Sequence, residues 1–378
     1  MARPRRSLHR IRLLVVIVSI SVQLPALALL SRLAARRAPT LGALPWLLAA
    51  LVTAAYLAVM LRRPFTDQPR PTWLRRYVLM PFFAWWSTSA LYLVLGAAAW
   101  AIARLCHADA VTAGSAALGV SALGGLWSVQ RGPRLVEREV AVAGLPAAFD
   151  GYRVGQLSDV HCGSFTSRRK IEGWVATLNA ARPDLIAVTG DLVTSGDHFT
   201  DDVAAALSAL DAPDGVFACM GNHDYFCDAE RLVAQLRDGG VRVLRNEGEH
   251  VERDGARLYV AGVEDVWTRR HDLPRTLAGR DGCATLLLAH DPNHFPAAVE
   301  AGVGLQLSGH THGGQLALPV ADGRYNLARL ITRYTHGLFR QGRSALYVSR
   351  GAGTTGPPVR LFAPAELTVL TLRTLDAA

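Results

Sequence analysis

Four long apolar runs occupy the first third of the chain: Ile11–Leu30, Thr40–Leu61, Val78–Ala103 and Ala110–Val129. The only charge in any of them is Arg12, at the edge of the first. A run of about 20 apolar residues is long enough to cross the hydrocarbon core of a bilayer as a helix. Backbone N–H and C=O groups there find no water, so a helix that satisfies them internally is the form such a run takes. Residues 1–132 are therefore expected to be a membrane domain of about four transmembrane helices. The fourth run is richer in Ala, Gly and Ser, and such residues also suit a buried soluble helix.

Charge is distributed to match. Residues 1–132 hold 15 Arg and two acids, Asp67 and Asp109, while the remainder holds 25 basic residues against 29 acids, so the overall +9 belongs to the N-terminal third. No nucleic-acid-binding surface is indicated. Arginine in short loops marks the cytoplasmic side. Arg3, Arg5, Arg6, Arg10 and Arg12 precede the first run and Arg62, Arg63, Arg70, Arg75 and Arg76 follow the second, whereas the alternate loops hold Arg32, Arg36, Arg37 and Arg104. Ten against four places the N-terminus inside, and four spans then place the C-terminal domain in the cytoplasm as part of a multi-pass cell-membrane protein. If the fourth run does not span, that domain lies outside. A rival reading takes the Arg5-Arg6 pair as a twin-arginine export signal; three further apolar runs and no clear cleavage site oppose it. Five cysteines without a CxxC pair indicate neither a disulfide framework nor a zinc–cysteine site, and buried free thiols are the default.

From Tyr152 the pattern changes. Short apolar runs, "YRVGQLS", "DLIAVTG", "GVFACMG", "ATLLLAH" and "VGLQLSG", read as buried strands. They alternate with helical stretches at Ser167–Ala181, Thr200–Leu210, Asp228–Asp238 and Asn293–Ala301, with Ser167 and Asp228 as N-caps. Val136–Val142 reads as an edge strand, and Val241–Val263 as two or three strands around an Asp254-Gly255 turn. The class is α/β, one domain over 133–378.

Each of the five strands ends in side chains that bind metals. They deliver Asp159 and His161; Asp191; Asn222, His223 and Asp224; His290; and His310 and His312. In α/β sheets, ligands sit beyond the carboxyl ends of the strands. Singly, an Asp after Gly is a turn residue and a lone His is structural, but five in succession point to one metal site.

The set Asp159-x-His161, Gly190-Asp191, Gly221-Asn222-His223-Asp224, His290 and Gly309-His310-x-His312 resembles the calcineurin-like metallophosphoesterase family. The longer "GHTHGGQ" and the tail "LYVSRGAGTTGPPVRLFAPAELTVLTL" resemble its bacterial membrane-associated branch. The resemblance covers about residues 135–373. It implies a sandwich of two sheets flanked by helices, and two divalent metal ions. Asp159, His161, Asp191 and His312 would hold one ion; Asp191, Asn222, His290 and His310 the other. Mixed imidazole and carboxylate ligands suit Mn²⁺, Fe²⁺ or Zn²⁺. His223 corresponds to the family's general acid. Many relatives carry a carboxylate three residues after the bridging Asp, where this chain has Thr194; a hydroxyl can orient the imidazole but not stabilise its charge. A weaker acid and a preference for good leaving groups follow.

The function implied is hydrolysis of phosphodiester, pyrophosphate or phosphomonoester bonds by metal-activated water. An anchor beside lipid headgroups admits a lipid-linked substrate. The alternative is a catalytically silent membrane sensor on the same fold. Arg350 and Arg168-Arg169-Lys170 are candidate phosphate contacts.

Overall fold

A computed structural model describes residue 13 and residues 16–62, 67–129 and 132–375. The N-terminal arginines that set the expected orientation lie outside the described residues. Two compact units emerge: one holds the apolar helices and Pro357–Leu361, the other holds residues 67–69, Gly132–Gly356 and residues 362–375.

In the first unit, among the described residues, four helices are long and apolar enough to cross a membrane: α1 (Val16–Ala35), α2 (Pro39–Val59), α3 (Thr72–Leu105) and α4 (Ala110–Ser128). Helix α3 starts before the apolar run, and its first turns carry Arg75 and Arg76. Small residues let α3 and α4 approach closely. A Cβ at Gly125 would lie 2.7 Å from both the Ala84 carbonyl oxygen and the Thr88 nitrogen. Asp109 caps α4, accepting from Val111 N and Thr112 N. One polar cluster is internal: Gln23 Nε2 donates to Thr53 Oγ1 at 3.1 Å, and Trp85 Nε1 donates to Gln23 Oε1 at 2.8 Å.

The second unit is a two-sheet α/β sandwich. Its strands are β1 (Arg134–Val142), β2 (Arg153–Leu157), β3 (Leu185–Thr189), β4 (Val216–Cys219), β5 (Val241–Val243) and β6 (Glu247–Arg253), then β7 (Ala256–Gly262), β8 (Ala284–Leu288), β9 (Leu305–Ser308), β10 (Gly337–Gln341), β11 (Ser344–Val348) and β12 (Glu366–Thr374). One sheet runs β1-β12-β2-β3-β4-β5 and the other β10-β11-β9-β8-β7-β6. The central strands β2 to β4 and β7 to β9 are parallel to their neighbours in that series. A strand covered on both faces reads as a continuous apolar run, which is why these strands are legible.

Alternation assigns each face. Leu185 and Ala187 of β3, with Phe217 and Cys219 of β4, join Leu258, Val260, Leu286, Leu288, Leu305 and Leu307 between the sheets. Ile186, Val188 and Ala218 face the other way, against Ile171, Val175, Val203, Leu207, Leu232 and Leu236. Those last come from helices α5 (Arg168–Ala180), α6 (Thr200–Leu207) and α7 (Ala229–Asp238). Each such aliphatic side chain contributes about 1.5–3 kcal/mol by burial.

Val241–Val263 forms three strands, and the turn between β6 and β7 has left-handed φ at both Asp254 (48°) and Gly255 (76°), the pairing a two-residue hairpin needs. Some local expectations fail. Helix α6 stops at Leu207, three residues short of the expected end. The 293–301 stretch opens as a 3-10 turn and becomes α-helix α8 only over Phe295–Glu300. Asp228 caps α7 through Arg231 N, but the Ser167 side chain at the α5 N-cap makes no capping bond. The five cysteines are free; only Cys162 and Cys219 are buried, Cys227 and Cys283 are half-buried and Cys106 is exposed.

Candidate metal centre

The predicted site residues leave the strands at their carboxyl ends, and the backbone there is strained. Asp159, His161, Asp191, His310 and His312 have φ of 52°, 47°, 56°, 70° and 52°. Left-handed φ in residues other than glycine costs of order 1–3 kcal/mol each, and such residues persist where surrounding structure fixes them, above all at functional sites. Here the fixing is visible. Asp159 N–H donates to the Gly190 carbonyl at 3.0 Å, and His161 N–H to the Asp191 carbonyl at 2.9 Å. Asp159 Oδ2 accepts from Ser158 Oγ at 2.6 Å, and its Oδ1 from His310 N–H at 2.9 Å.

Two glycines in the motifs are there for space. A Cβ at Gly309 would fall 2.0 Å from Ser158 Oγ and 2.1 Å from Asp159 Oδ2. One at Gly221 would fall 2.3 Å from Asp191 Oδ1. Either side chain would displace a carboxylate of the site.

The donor atoms form two groups that share Asp191. Ligand atoms of Asp159, His161, Asp191 and His312 lie within 4.8 Å of one another, as do those of Asp191, His290 and His310. Within the first, His161 Nε2 is 3.0 Å from His312 Nε2 and 3.5 Å from Asp191 Oδ2, and His312 Nε2 is 3.3 Å from Asp159 Oδ1. Within the second, His290 Nε2 is 3.3 Å from Asp191 Oδ2. Asn222 Oδ1 stands 3.0 Å from His310 Nδ1. All seven predicted ligands are thus brought to one place.

This donor set fits cations. His290 Nδ1–H donates to the Thr189 carbonyl at 2.7 Å, so a neutral ring aims the Nε2 lone pair at a carboxylate oxygen. Burial pushes the Asp159 carboxyl up to about 6. Burial would raise Asp191 too, but the His290 and His161 imidazoles beside it hold it well below the usual range. Against its own burial, His290 is lifted well above the usual imidazole value by Asp191. Such a cluster of buried acceptors needs positive charge among them, from protons or from metal ions.

His223 is half-buried beside this cluster. Its ring packs edge-on against His161 at 4.7 Å and Phe226 at 5.1 Å. Its Nδ1–H donates to the Thr194 backbone carbonyl at 2.7 Å. The Thr194 hydroxyl, in contrast to expectation, does not orient the imidazole; it donates to the His161 carbonyl at 3.2 Å. Orientation of His223 therefore depends on the backbone at residue 194, not on its side chain.

Asp224 stood in the predicted motif without a role of its own. Asp224 is fully buried and accepts from Asp191 N (3.0 Å), Gly221 N (2.9 Å), Leu192 N (2.7 Å) and Val193 N (3.2 Å). It holds the loop that carries the shared carboxylate. Its position in "GNHD" was a signal, but four backbone partners cannot be read from spacing. Arg350 is engaged elsewhere, with Asp322 Oδ2 at 2.9 Å and Glu366 Oε2 at 3.3 Å, and Arg168 pairs with Glu172 at 2.7 Å. Two exposed aromatics border the cluster: Phe226, and Trp267, whose ring is 5.7 Å from His310.

Comparison with known proteins gives the family. The calcineurin-like phosphoesterase family matches residues 152–314, a span that runs from before Asp159 to beyond His312. An uncharacterized metallophosphoesterase of Bacillus subtilis, YkuE, is 33% identical over 241 residues, covering 61% of this chain and 82% of that protein. This chain is a calcineurin-like metallophosphoesterase. An uncharacterized metallophosphoesterase of Aquifex aeolicus is 32% identical over 231 residues, 58% of this chain and 85% of its own. A zebrafish transmembrane protein with metallophosphoesterase domain is 32% identical over 272 residues, 67% of this chain and 60% of that longer relative. The metallophosphoesterase therefore joins a phosphoesterase fold, with residues that could bind metal, to helices apolar enough to span a membrane.

Proposed function

We propose that the metallophosphoesterase is a multi-pass membrane hydrolase of phosphodiester, pyrophosphate or phosphomonoester bonds. Asp159, His161, Asp191 and His312 would hold one divalent ion; Asp191, Asn222, His290 and His310 would hold a second. The observation that carries this reading is the sharing of Asp191 by two donor groups, buried except for the half-buried His310. Mn²⁺, Fe²⁺ and Zn²⁺ suit the mixed nitrogen and oxygen set. When bound, such a pair activates water and offsets charge on the phosphoryl oxygens. The chain's own residues do the rest. Ser158 fixes the Asp159 carboxylate and the His223 N–H that of Asp191, while Asp224 holds the loop carrying Asp191 and the Thr189 carbonyl fixes the His290 ring. His223, oriented through Nδ1, has Nε2 to give a proton to the leaving oxygen.

Retention of every presumed ligand, with His223 beside them, supports catalysis over a silent sensor. A lipid-linked substrate is supported by the lobe that follows His312. Leu318, Val320, Leu327, Leu330 and Ile331 are all exposed there, beside Arg324 and Arg329. Relatives named as transmembrane proteins support the anchor, and arginine counting supports a cytoplasmic catalytic unit.

The test is metal analysis of the purified chain, then hydrolysis of a nitrophenyl diester and an alkyl monoester with Mn²⁺. Turnover lost in Asp191→Ala is expected. Two bound metals with no turnover in wild type would instead favour the sensor.

A further inference from the structure

Of the two acids in the first 132 residues, Asp109 has a local role as the cap of α4. Asp67 does not. It lies in the connection between α2 and α3, yet residues 67–69 belong with the catalytic unit by their contacts. The Asp67 N–H donates to Ser195 Oγ at 2.9 Å. Its Oδ2 accepts from Ser164 N–H at 2.7 Å, and its Oδ1 from the Ser164 hydroxyl. Ser164 Oγ also reaches the Gln68 carbonyl at 3.0 Å.

Both serines sit in loops of the metal centre. Ser164 is three residues beyond His161, and Ser195 follows Thr194, whose carbonyl takes the His223 Nδ1–H bond. The two loops already meet through a bridge at Cys162 and Val193 and through Thr194 N–H to the Cys162 carbonyl at 3.1 Å. Asp67 fastens them a second time from outside. Gly163 leaves the room: a Cβ there would fall 2.2 Å from Asp67 Oδ2 and 2.7 Å from Thr194 Oγ1.

We propose that Asp67 is a positioning residue of the phosphoesterase site, supplied by the connection between the second and third membrane helices. It acts through Ser164 and Ser195 on the junction of these two loops, and so on the Thr194 carbonyl that orients His223. A topological consequence follows from connectivity. Residues 67–69 and the catalytic unit lie on one side of the bilayer, so the chain between them, α3 and α4, crosses an even number of times. The kinetic part rests on the function proposed above; the contact and the topology do not.

Two measurements on the full chain in its membrane test this. An Asp67→Cys/Ser164→Cys pair in a Cys106→Ser background should form an intramolecular disulfide under mild oxidation, found by peptide mapping. Single cysteines at Gln68→Cys and Arg257→Cys should react with an impermeant maleimide from the same side. No disulfide, or labelling from opposite sides, overturns the proposal. In kinetics, Asp67→Asn should lower kcat about 10-fold or more, the scale of losses at outer-shell positions. KM and bound metal should stay close to wild type, and the loss should be smaller on a nitrophenyl ester than on an alkyl monoester, because His223 matters less when the leaving group is good. An unchanged kcat, or an equal loss on both esters with loss of metal, overturns the positioning role. Wild type inert on both esters but cross-linked between 67 and 164 would sink the proposed activity and leave the contact and topology standing.

Discussion

The two units bury polar groups in opposite ways. In the membrane unit, Gln23, Thr53 and Trp85 form donor–acceptor pairs that satisfy one another. In the catalytic unit, carboxylates and imidazoles converge, as at His290 Nε2 and Asp191 Oδ2 at 3.3 Å, and cannot satisfy one another without added protons or cations. A self-satisfied cluster stabilises its surroundings and asks for nothing further. A cluster that cannot satisfy itself is unfavourable alone, and so it points to a charge supplied from elsewhere.

That contrast can be broken most directly at Asp191. Asp191→Ala should abolish both metal-binding groups and lower turnover by about 10²–10³-fold or more, read by steady-state kinetics and elemental analysis. Gln23→Leu should leave turnover within about twofold, because an effect of the magnitude seen for a catalytic electrostatic contact would require a role in the site. Comparable losses in the two variants would erase the distinction.

Removal of metal should be the next largest effect. A ligand held at a thousand times its dissociation constant stabilises by about 4 kcal/mol. Stripping the protein with a chelator should therefore lower its melting temperature on the order of 10 °C, with recovery on adding Mn²⁺ or Zn²⁺. Acid should act in the same direction, since protons compete for the imidazole and carboxylate ligands.

How much of this was legible depends on whether the cause was local. The strand ends Asp159, His161, Asp191, His290, His310 and His312 could be read because each follows an apolar run whose continuity reports burial on both faces. The Asp254-Gly255 turn could be read because its two positive φ angles demand those residues. Strand β12 could not be placed between β1 and β2, since nothing in Glu366–Thr374 records that it pairs antiparallel with a strand two hundred residues earlier. For the same reason Arg350 looked available for phosphate: its partners Asp322 and Glu366 are distant in sequence. Thr194 looked important for its hydroxyl, while the structure uses its carbonyl, which every residue has. Asp67 was visible only as an acid in a basic region; its partner Ser164 is 97 residues away.

A smaller effect separates proton demand in the metal centre from ordinary burial. His294 is buried, and its pKa is pushed down to about 4 from 6.5 by burial and then by the neighbouring His271. The unfolded chain takes up this proton as pH falls through 6.5, whereas the folded chain refuses it until about 4. Stability should thus fall by roughly 3 kcal/mol across that window, with no contribution above it. His294→Phe should flatten this part of a denaturation-versus-pH curve. The smallest effect is expected in the membrane unit, where Gln23→Leu leaves Thr53 and Trp85 without that partner and should cost about 1 kcal/mol, read by unfolding in mixed micelles.

The central claim is tested most directly by anomalous X-ray diffraction from crystals grown with Mn²⁺ or Zn²⁺. Two peaks are expected, one on each side of the Asp191 carboxylate, the first bordered by Asp159, His161 and His312 and the second by Asn222, His290 and His310. Peaks elsewhere, or none at either position in crystals diffracting well enough to show them, would contradict the account.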